Sequence, residues 1–313
     1  MLFWISGVHD DSAGEAGISV NSSNLLTGIL LTVVAGLVFS VMDATGKELT
    51  TLIPVVQVVW GRYFVQTVLV TSYLGATAGT GFLRARRPVL QVVRGAALLS
   101  TTLMMYVALA KVPLADCTAV MFFSPILVTV FSVIFLKERI GLHRIAAVVA
   151  GFVGVILIVR PGSAGFDPYL LLPLAASVLN AVYLMLTRQL AGSEDSAATV
   201  FHTTATGAVI LSLMVIPVWQ TPSLPAAGLM LFIGTIGAIG HSTLINAFRH
   251  APASLLSPFL YSQMLFATVI SLFWFGDGLH ETTLTGMAVL VGSGLYIWWR
   301  ENRDKRALRV IRG

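Results

Sequence analysis

Residues 25–42 read LLTGILLTVVAGLVFSVM, from Leu25 to Met42, without a single charge. A helix crossing a bilayer needs about 20 mostly apolar residues, within a range of roughly 17 to 25. Extended to residue 46, this stretch meets that length and is the first of ten such runs. The others lie near 52–74, 92–112, 116–136 and 143–160, then 168–190, 197–218, 228–248, 253–275 and 284–299. Between them stand Pro, Gly or charge: Ile53-Pro54, Arg84 to Pro88, Val112-Pro113, Lys137 to Gly141, Pro161-Gly162 and Pro222 to Pro225. Such punctuation marks where helices leave the bilayer. The expected fold class is therefore an all-α membrane protein with ten transmembrane helices.

Composition agrees. Of 313 residues 56% are hydrophobic and 11% charged, with a formal net charge of +5. A soluble domain carries roughly a quarter of its residues as charges, so this chain has too few to cover a water-facing surface. The basic residues cluster between apolar runs and form no stripe interleaved with stacking aromatics, which argues against nucleic acid as a partner. The single Cys117 excludes an intrachain disulfide and cannot alone make a metal site. Residues 1–23 contain no Lys or Arg and hold Asp10, Asp11 and Glu15. A secretory signal needs a basic start and a longer apolar core than Met1 to Ile5, so this segment reads as a disordered cytoplasmic tail.

Lys and Arg accumulate on the cytoplasmic side of a membrane protein. With the N-terminus inside, the inner loops and tail hold Arg84, Arg86, Arg87, Arg94, Lys137, Arg139, Arg144, Arg188 and Arg249. The end of the chain adds Arg300, Arg303, Lys305, Arg306, Arg309 and Arg312. Only Lys47, Lys111 and Arg160 fall outside, and Arg62 falls within a helix. The bias predicts both termini in the cytoplasm.

The two halves resemble each other. Ala110-Lys111-Val112-Pro113-Leu114-Ala115 matches Arg249-His250-Ala251-Pro252-Ala253-Ser254. Continuing without gaps, Phe122 falls on Tyr261, Phe135 on Trp274, and Glu138-Arg139-Ile140 on Asp277-Gly278-Leu279. Five helices per half is an odd number, so the second copy enters the bilayer upside down. The expected organisation is a tail (1–23), a first repeat (24–162), a second inverted repeat (163–300) and a basic cytoplasmic tail (301–313). Inverted repeats place a substrate site near the midplane, where the halves meet.

The residues also resemble a known family. The first half carries Asp43-Ala44-Thr45-Gly46-Lys47, Pro54, Arg62, Pro113-Leu114-Ala115-Asp116, Ser124-Pro125, Leu136-Lys137-Glu138-Arg139 and Arg160-Pro161-Gly162. The second carries Gly240-His241, Ala251-Pro252-Ala253, Pro258-Phe259-Leu260-Tyr261, Phe275-Gly276-Asp277 and Gly294-Leu295-Tyr296. In order and spacing these are similar to the drug/metabolite transporter superfamily, in its ten-helix branch with paired EamA domains. One departure is Asp277, where the family usually has Glu. The resemblance covers nearly the whole chain from about Leu25. It implies a secondary active transporter in a bacterial-type cytoplasmic (inner) membrane, moving a small organic solute by alternating access without ATP hydrolysis. Relatives of this subtype take up riboflavin or S-adenosylmethionine, or export amino acids or metabolites, so cargo and direction do not carry over.

Ionisable residues inside a bilayer are costly and usually face a cavity or a partner. Arg62 is either an anchor for a substrate carboxylate or half of an ion pair with Asp43. Asp43 is either an i,i+4 partner of Lys47 or a protonatable carboxylate coupling transport to a proton gradient. His241 and His202 are proton-relay candidates, since imidazole titrates near neutral pH, and His241 is a substrate contact as well. Trp60, Tyr63, Tyr106, Phe122, Phe123, Tyr183 and Tyr261 lie at mid-segment, where planar side chains would stack on a planar or cationic solute. Asn180 and Gln263 add amide donors and acceptors at similar depth. Gly234, Gly237 and Gly240 recur every three residues, a spacing that lets helices approach closely in lipid. Pro125 and Pro258 interrupt the matching fourth and ninth helices.

Two other classes compete with a carrier: an intramembrane enzyme and a non-transporting scaffold. Gly292-Ser293-Gly294 has no His near it in sequence, and no His-Glu-x-x-His, P-loop or paired-carboxylate motif is present. The expectation is no enzyme, no cofactor and no metal, with a small solute and the lipid bilayer as partners. Monomer and homodimer both stay open. If the carrier reading holds, Arg62, His241 and Tyr261 converge on one cavity.

Overall fold

The computed structural model describes residues 22–137, 141–163, 165–190 and 193–312. Among these there is no strand, and twelve α-helices follow one another. They are α1 (Ser22–Leu49), α2 (Val55–Ala78), α3 (Pro88–Leu109), α4 (Leu114–Met121), α5 (Ser124–Leu136) and α6 (Leu142–Val159). Then come α7 (Leu171–Leu190), α8 (Ser196–Met214), α9 (Leu224–His250), α10 (Ala253–Leu256), α11 (Ser262–Phe273) and α12 (Glu281–Arg312). α4 and α5 form one rod broken at Phe122 and Phe123. α10 and α11 form another, joined by a 3-10 turn at Ser257–Tyr261. The twelve helices thus make ten rods, the number read from the apolar runs.

Both breaks sit at a proline. Pro125 stands in the first turn of α5 and Pro258 in the first turn of the 3-10 segment. A proline lacks the N–H that a continuing helix needs, so the helix restarts around it. The expected tail at 1–23 lies outside the described residues as far as position 21, and so do Glu138-Arg139-Ile140. Through the basic run after residue 300, α12 continues as a helix to Arg312.

One boundary matters for function. Expected near residue 92, α3 starts at Pro88. Proline is well suited to the first turn because its missing N–H is one that no helical carbonyl would accept. Arg94 therefore lies inside α3, and only 1% of it is exposed. It is not one of the inner-loop charges.

Seven of the helical spans are by themselves long and apolar enough to cross a membrane. The surface fits lipid. Leu30, Val34, Val68, Phe135, Phe152, Leu213 and Phe273 are exposed, while Ser40, Gln57, Gln66, Gln91, Arg94 and Ser177 are buried. Water would favour the reverse. Several buried hydroxyls are satisfied within their own helix, as where Thr32 donates to the Gly28 carbonyl (2.8 Å) and Ser40 to that of Gly36 (2.9 Å).

The halves interleave rather than sit side by side. α1 packs on α9 and α11, α2 on α8 and α9, α3 on α7 and α8, α4 on α11, and α6 on α12. Glycines set the closest approaches. A Cβ on Gly154 would lie 2.9 Å from the Gly286 carbonyl, and one on Gly286 would lie 2.5 Å from that of Gly154. Gly234, Gly237 and Gly240 of α9 face Val65, Met42 and Phe39 of the first two helices, the packing role their spacing suggests.

Candidate substrate site

α2, α3, α7, α8 and α9 enclose a cavity of about 50 Å³. From the first half, Arg62, Tyr63 and Gln66 of α2 and Arg94 of α3 line it. From the second, Tyr183 and Thr187 of α7, Thr199, Thr203 and Thr204 of α8, and His241 of α9 complete the wall. Among the described residues no Asp or Glu lines it.

Arg62 is half-buried. Its Nη1 donates to the Tyr106 hydroxyl (3.3 Å), and its guanidinium carbon lies 5.7 Å from the centre of that ring. Tyr106 itself is fully buried on α3 and fills the notch left by Gly46, where a Cβ would come within 2.3 Å of the ring. Nε of Arg62 is buried without a partner. Arg62 therefore spends one of its five N–H groups on the protein.

Arg94 is held far more fully. Nη1 donates to the Tyr183 hydroxyl (3.4 Å) and Thr187 Oγ1 (3.3 Å), while Nη2 donates to Gln91 Oε1 (3.1 Å), the Thr199 carbonyl (2.6 Å) and Thr203 Oγ1. Its guanidinium carbon lies 5.4 Å from the centre of the Tyr183 ring. Every one of these acceptors is neutral. The nearby carboxylate of Glu194 is engaged elsewhere, accepting from the backbone N–H groups of Arg86 (3.2 Å) and Arg87 (2.5 Å). Burying a cation without a counter-charge is expensive; here hydrogen bonds and a ring face offset the cost.

Tyr63 lies against Gly207 of α8, where a Cβ would come within 2.2 Å of the ring. Thr102 spends its hydrogen on the Leu98 carbonyl (2.9 Å), so the Tyr63 hydroxyl donates to Thr102 Oγ1 (3.1 Å). The His241 ring lies 4.9 Å from that of Phe39, and its Nδ1 is buried without a partner.

Of the residues singled out from the sequence, Arg62, Tyr63, Tyr183 and His241 come together on the cavity, and Tyr106 stands directly behind Arg62. Tyr261 does not line it. Its ring lies 5.3 Å from Phe122, with its hydroxyl against Gly294. Trp60 belongs to a separate cluster, donating to Ser212 Oγ (3.0 Å) and stacking on Phe64 at 5.0 Å. Phe123 is buried and lies 6.0 Å from Phe152. Asn180 and Gln263 are half-buried away from the cavity, and Ser40 takes only the Gln263 backbone carbonyl (2.9 Å). His202 is tied to its own helix, its Nδ1 donating to the Ala198 carbonyl (2.8 Å).

Neither ion pair weighed for Asp43 is made. Asp43 and Arg62 do not come within ion-pair distance, and Lys47 turns to Asp277 (3.2 Å) and the Val112 carbonyl (3.1 Å) instead. The Lys47 ammonium also lies 4.7 Å over the Phe275 ring, and Asp277 accepts from Ser271 Oγ (2.6 Å). At the same end Arg160 lies 3.9 Å from Asp116.

Arg94, Gln66 and the threonines were missed. The signal for Arg94 was Pro88, whose fitness for a first helical turn starts α3 early enough to place it in the body of the helix and not at its end. Thr199 and Thr203 stand four apart, so they share a helical face.

The EamA-like transporter family model matches this chain twice, over residues 26–160 and 168–299. The chain belongs to the EamA-like transporter family. Several similar proteins are named as transporters of the same drug/metabolite transporter group. An S-adenosylmethionine uptake transporter of Rickettsia bellii is 23% identical over 264 residues, 84% of this chain and 90% of that protein. The pseudopaline exporter CntI of Pseudomonas aeruginosa is 29% identical over 273 residues, 85% and 94% of the two chains. A riboflavin transporter of Vibrio cholerae is 24% identical over 290 residues, 91% and 97%. A solved crystal structure superposes with a TM-score of 0.59 at 22% identity, covering 90% of this chain and 99% of its own. That likeness concerns the fold. Membership and the apolar helices together make this EamA-like chain an integral membrane transporter protein.

Proposed function

We propose that the protein is a secondary active carrier of a small organic solute, which binds in the cavity lined by Arg62, Arg94 and His241 and crosses by alternating access. The observation that carries this reading is the cavity itself. Buried cations facing a cavity inside a membrane bundle are costly to keep, and they mark a pathway or a binding site more often than a scaffold. Relatives named as transporters of S-adenosylmethionine, pseudopaline and riboflavin support a small organic cargo. In this reading the chain has no catalytic step, and the membrane is the cytoplasmic (inner) one with both termini in the cytoplasm.

The pairing of helices supports two inverted repeats, at about 24–162 and 163–300. Exchanging each rod with its counterpart five rods later turns the α1–α9 contact into the α7–α3 contact, which is also made. The same exchange leaves α2–α8, α4–α11 and α6–α12 unchanged. A two-fold relation makes contacts of this reciprocal kind. Phe122 and Tyr261, matched in the sequence comparison of the halves, touch each other, as residues near such an axis do. Rocking about that axis would open the cavity to one face and then the other.

The contacts joining the halves at opposite ends of the bundle suit this cycle. Lys47 to Asp277 closes one end, and the Arg86 and Arg87 amides to Glu194 close the other.

The test is solute flux in proteoliposomes containing the purified protein, comparing wild type with Arg62→Ala. Time-dependent, saturable uptake that the variant loses supports the carrier. Flux that is equal in empty vesicles, or unchanged in Arg62→Ala, rejects this site.

A further inference from the structure

The cavity wall carries an asymmetry of charge that points to the cargo. Two guanidiniums on neighbouring helices, Arg62 on α2 and Arg94 on α3, face one space, and no carboxylate lines it. The rest of the wall mixes threonine and tyrosine hydroxyls and His241 with the apolar side chains of Leu98, Val200 and Ile245. Some of those hydroxyls are already committed. Thr203 donates to the Thr199 carbonyl (2.6 Å) and Thr187 to the Tyr183 carbonyl (2.7 Å), so they turn lone pairs towards Arg94.

The two cations differ in what they have left to offer. Arg94 is saturated at both terminal nitrogens by neutral acceptors and acts mainly as a buried positive charge. Arg62 makes one hydrogen bond, to Tyr106, and retains most of its fork of donors. Such a fork matches the two oxygens of a carboxylate or the edge of a phosphate. Nε of each guanidinium and Nδ1 of His241 are buried without partners. A buried guanidinium N–H left unsatisfied is costly, and an acceptor brought by a ligand relieves it.

We propose that the solute is an organic anion with at least two acid groups, one gripped by Arg62 and the other held in the field of Arg94. This rests on the carrier reading of the same cavity and adds the class of cargo. A net cation such as S-adenosylmethionine meets two like charges at this wall. A neutral solute such as riboflavin brings no counter-charge to either guanidinium. A di-acid supplies the counter-charge that the wall lacks, and a mono-acid supplies half of it.

The experiment is thermal unfolding of the purified full-length protein in detergent with succinate, monomethyl succinate, citrate, glycerol 3-phosphate, riboflavin or S-adenosylmethionine. A ligand that binds only the folded protein raises its midpoint by mass action. The expected result is stabilisation by succinate or citrate, at half-saturating concentrations about tenfold or more below that of monomethyl succinate. Glycerol 3-phosphate carries a single acid group, so stabilisation by it at lower concentration than by succinate would overturn the requirement for two. Arg62→Gln and Arg94→Gln should each remove the preference for the di-acid over its monoester. Arg62→Lys, which keeps the charge and loses the fork, should retain part of it and guards against misfolding of the other variants. Equal responses to succinate and its monoester, or a succinate response that survives Arg62→Gln, overturn the proposal. An Arg62-dependent response to riboflavin or S-adenosylmethionine alone overturns the anion class and leaves the carrier site standing. No response to any probe overturns both.

Discussion

Lys47 Nζ lies 3.2 Å from Asp277 Oδ2, tying the end of α1 to the segment after α11 across 230 positions of sequence. The same ammonium caps the Val112 carbonyl between α3 and α4. Two inter-helix connections therefore meet on one cation at the end of α1, and cutting that link should loosen this end of the bundle first. The single Cys117, fully buried on neighbouring α4, is a native reporter. In the wild type it should resist a membrane-impermeant maleimide, whereas Asp277→Asn should label at least several-fold faster. Asp277→Glu should keep the tie and stay protected. Equal labelling of all three would show that the pair closes nothing.

Tyr63 and Gly207 should be energetically coupled. A methyl at residue 207 would meet the Tyr63 ring at 2.2 Å, and the ring is pinned behind by its bond to Thr102. Gly207→Ala should cost about 1–3 kcal/mol of stability by overpacking. In a Tyr63→Ala background the same change should cost much less, and a double-mutant cycle measures the difference. Additive costs would mean that the ring moves aside freely.

Arg94 should not tolerate the change to lysine. A lysine ammonium offers three donors from one point, and it cannot reach Tyr183, Thr187, Gln91 and the Thr199 carbonyl together. The expected loss is about 1–3 kcal/mol in thermal or denaturant unfolding. A stability equal to wild type would reduce Arg94 to a point charge.

Trp60→Phe should leave solute binding unchanged, because the indole serves the cluster with Ser212, Phe64 and Trp219 and does not reach the cavity. Losing its hydrogen bond should cost about 1 kcal/mol of stability. His241→Phe, by contrast, should alter binding. A Trp60 variant that binds less tightly than a His241 variant would relocate the site.

Orientation can be read by labelling. In a Cys117→Ser background, Lys111→Cys should react with an impermeant thiol reagent from outside the cell, and Arg84→Cys only after the membrane is opened. Reaction of both from the same face would refute the inside placement of the termini.

The ten rods were legible because lipid demands long apolar runs, and because proline, glycine and charge mark where they stop. Arg62 was legible for the complementary reason: a charge in the middle of such a run has to be explained. Arg94 was hidden by the same logic, since a basic residue near the end of an apolar run reads as a loop charge until the start of α3 at Pro88 is recognised. The threonine wall was hidden because threonine is unremarkable in a membrane helix, where its hydroxyl bonds its own backbone. Trp60, Tyr261 and Gln263 show the opposite failure. Depth along a helix is readable from position, but the side of the helix that faces the cavity depends on which neighbours pack against it. The partner of Lys47 was equally out of reach, since nothing local points from residue 47 to residue 277.

The Arg94 cage of neutral acceptors also has an electrical consequence. A charge held in a fixed site that opens first to one face and then to the other feels the membrane potential, worth about 2.3 kcal/mol per elementary charge per 100 mV. The hydrogen-bond partners of Arg94 are hydroxyls, an amide and a carbonyl, and the nearby Glu194 carboxylate is engaged by backbone N–H groups. No acid is therefore paired with that guanidinium to cancel its coupling to the voltage. An anionic cargo would cancel it. The loaded step would then be nearly indifferent to membrane potential, and the return of the empty carrier would be the step that voltage sets.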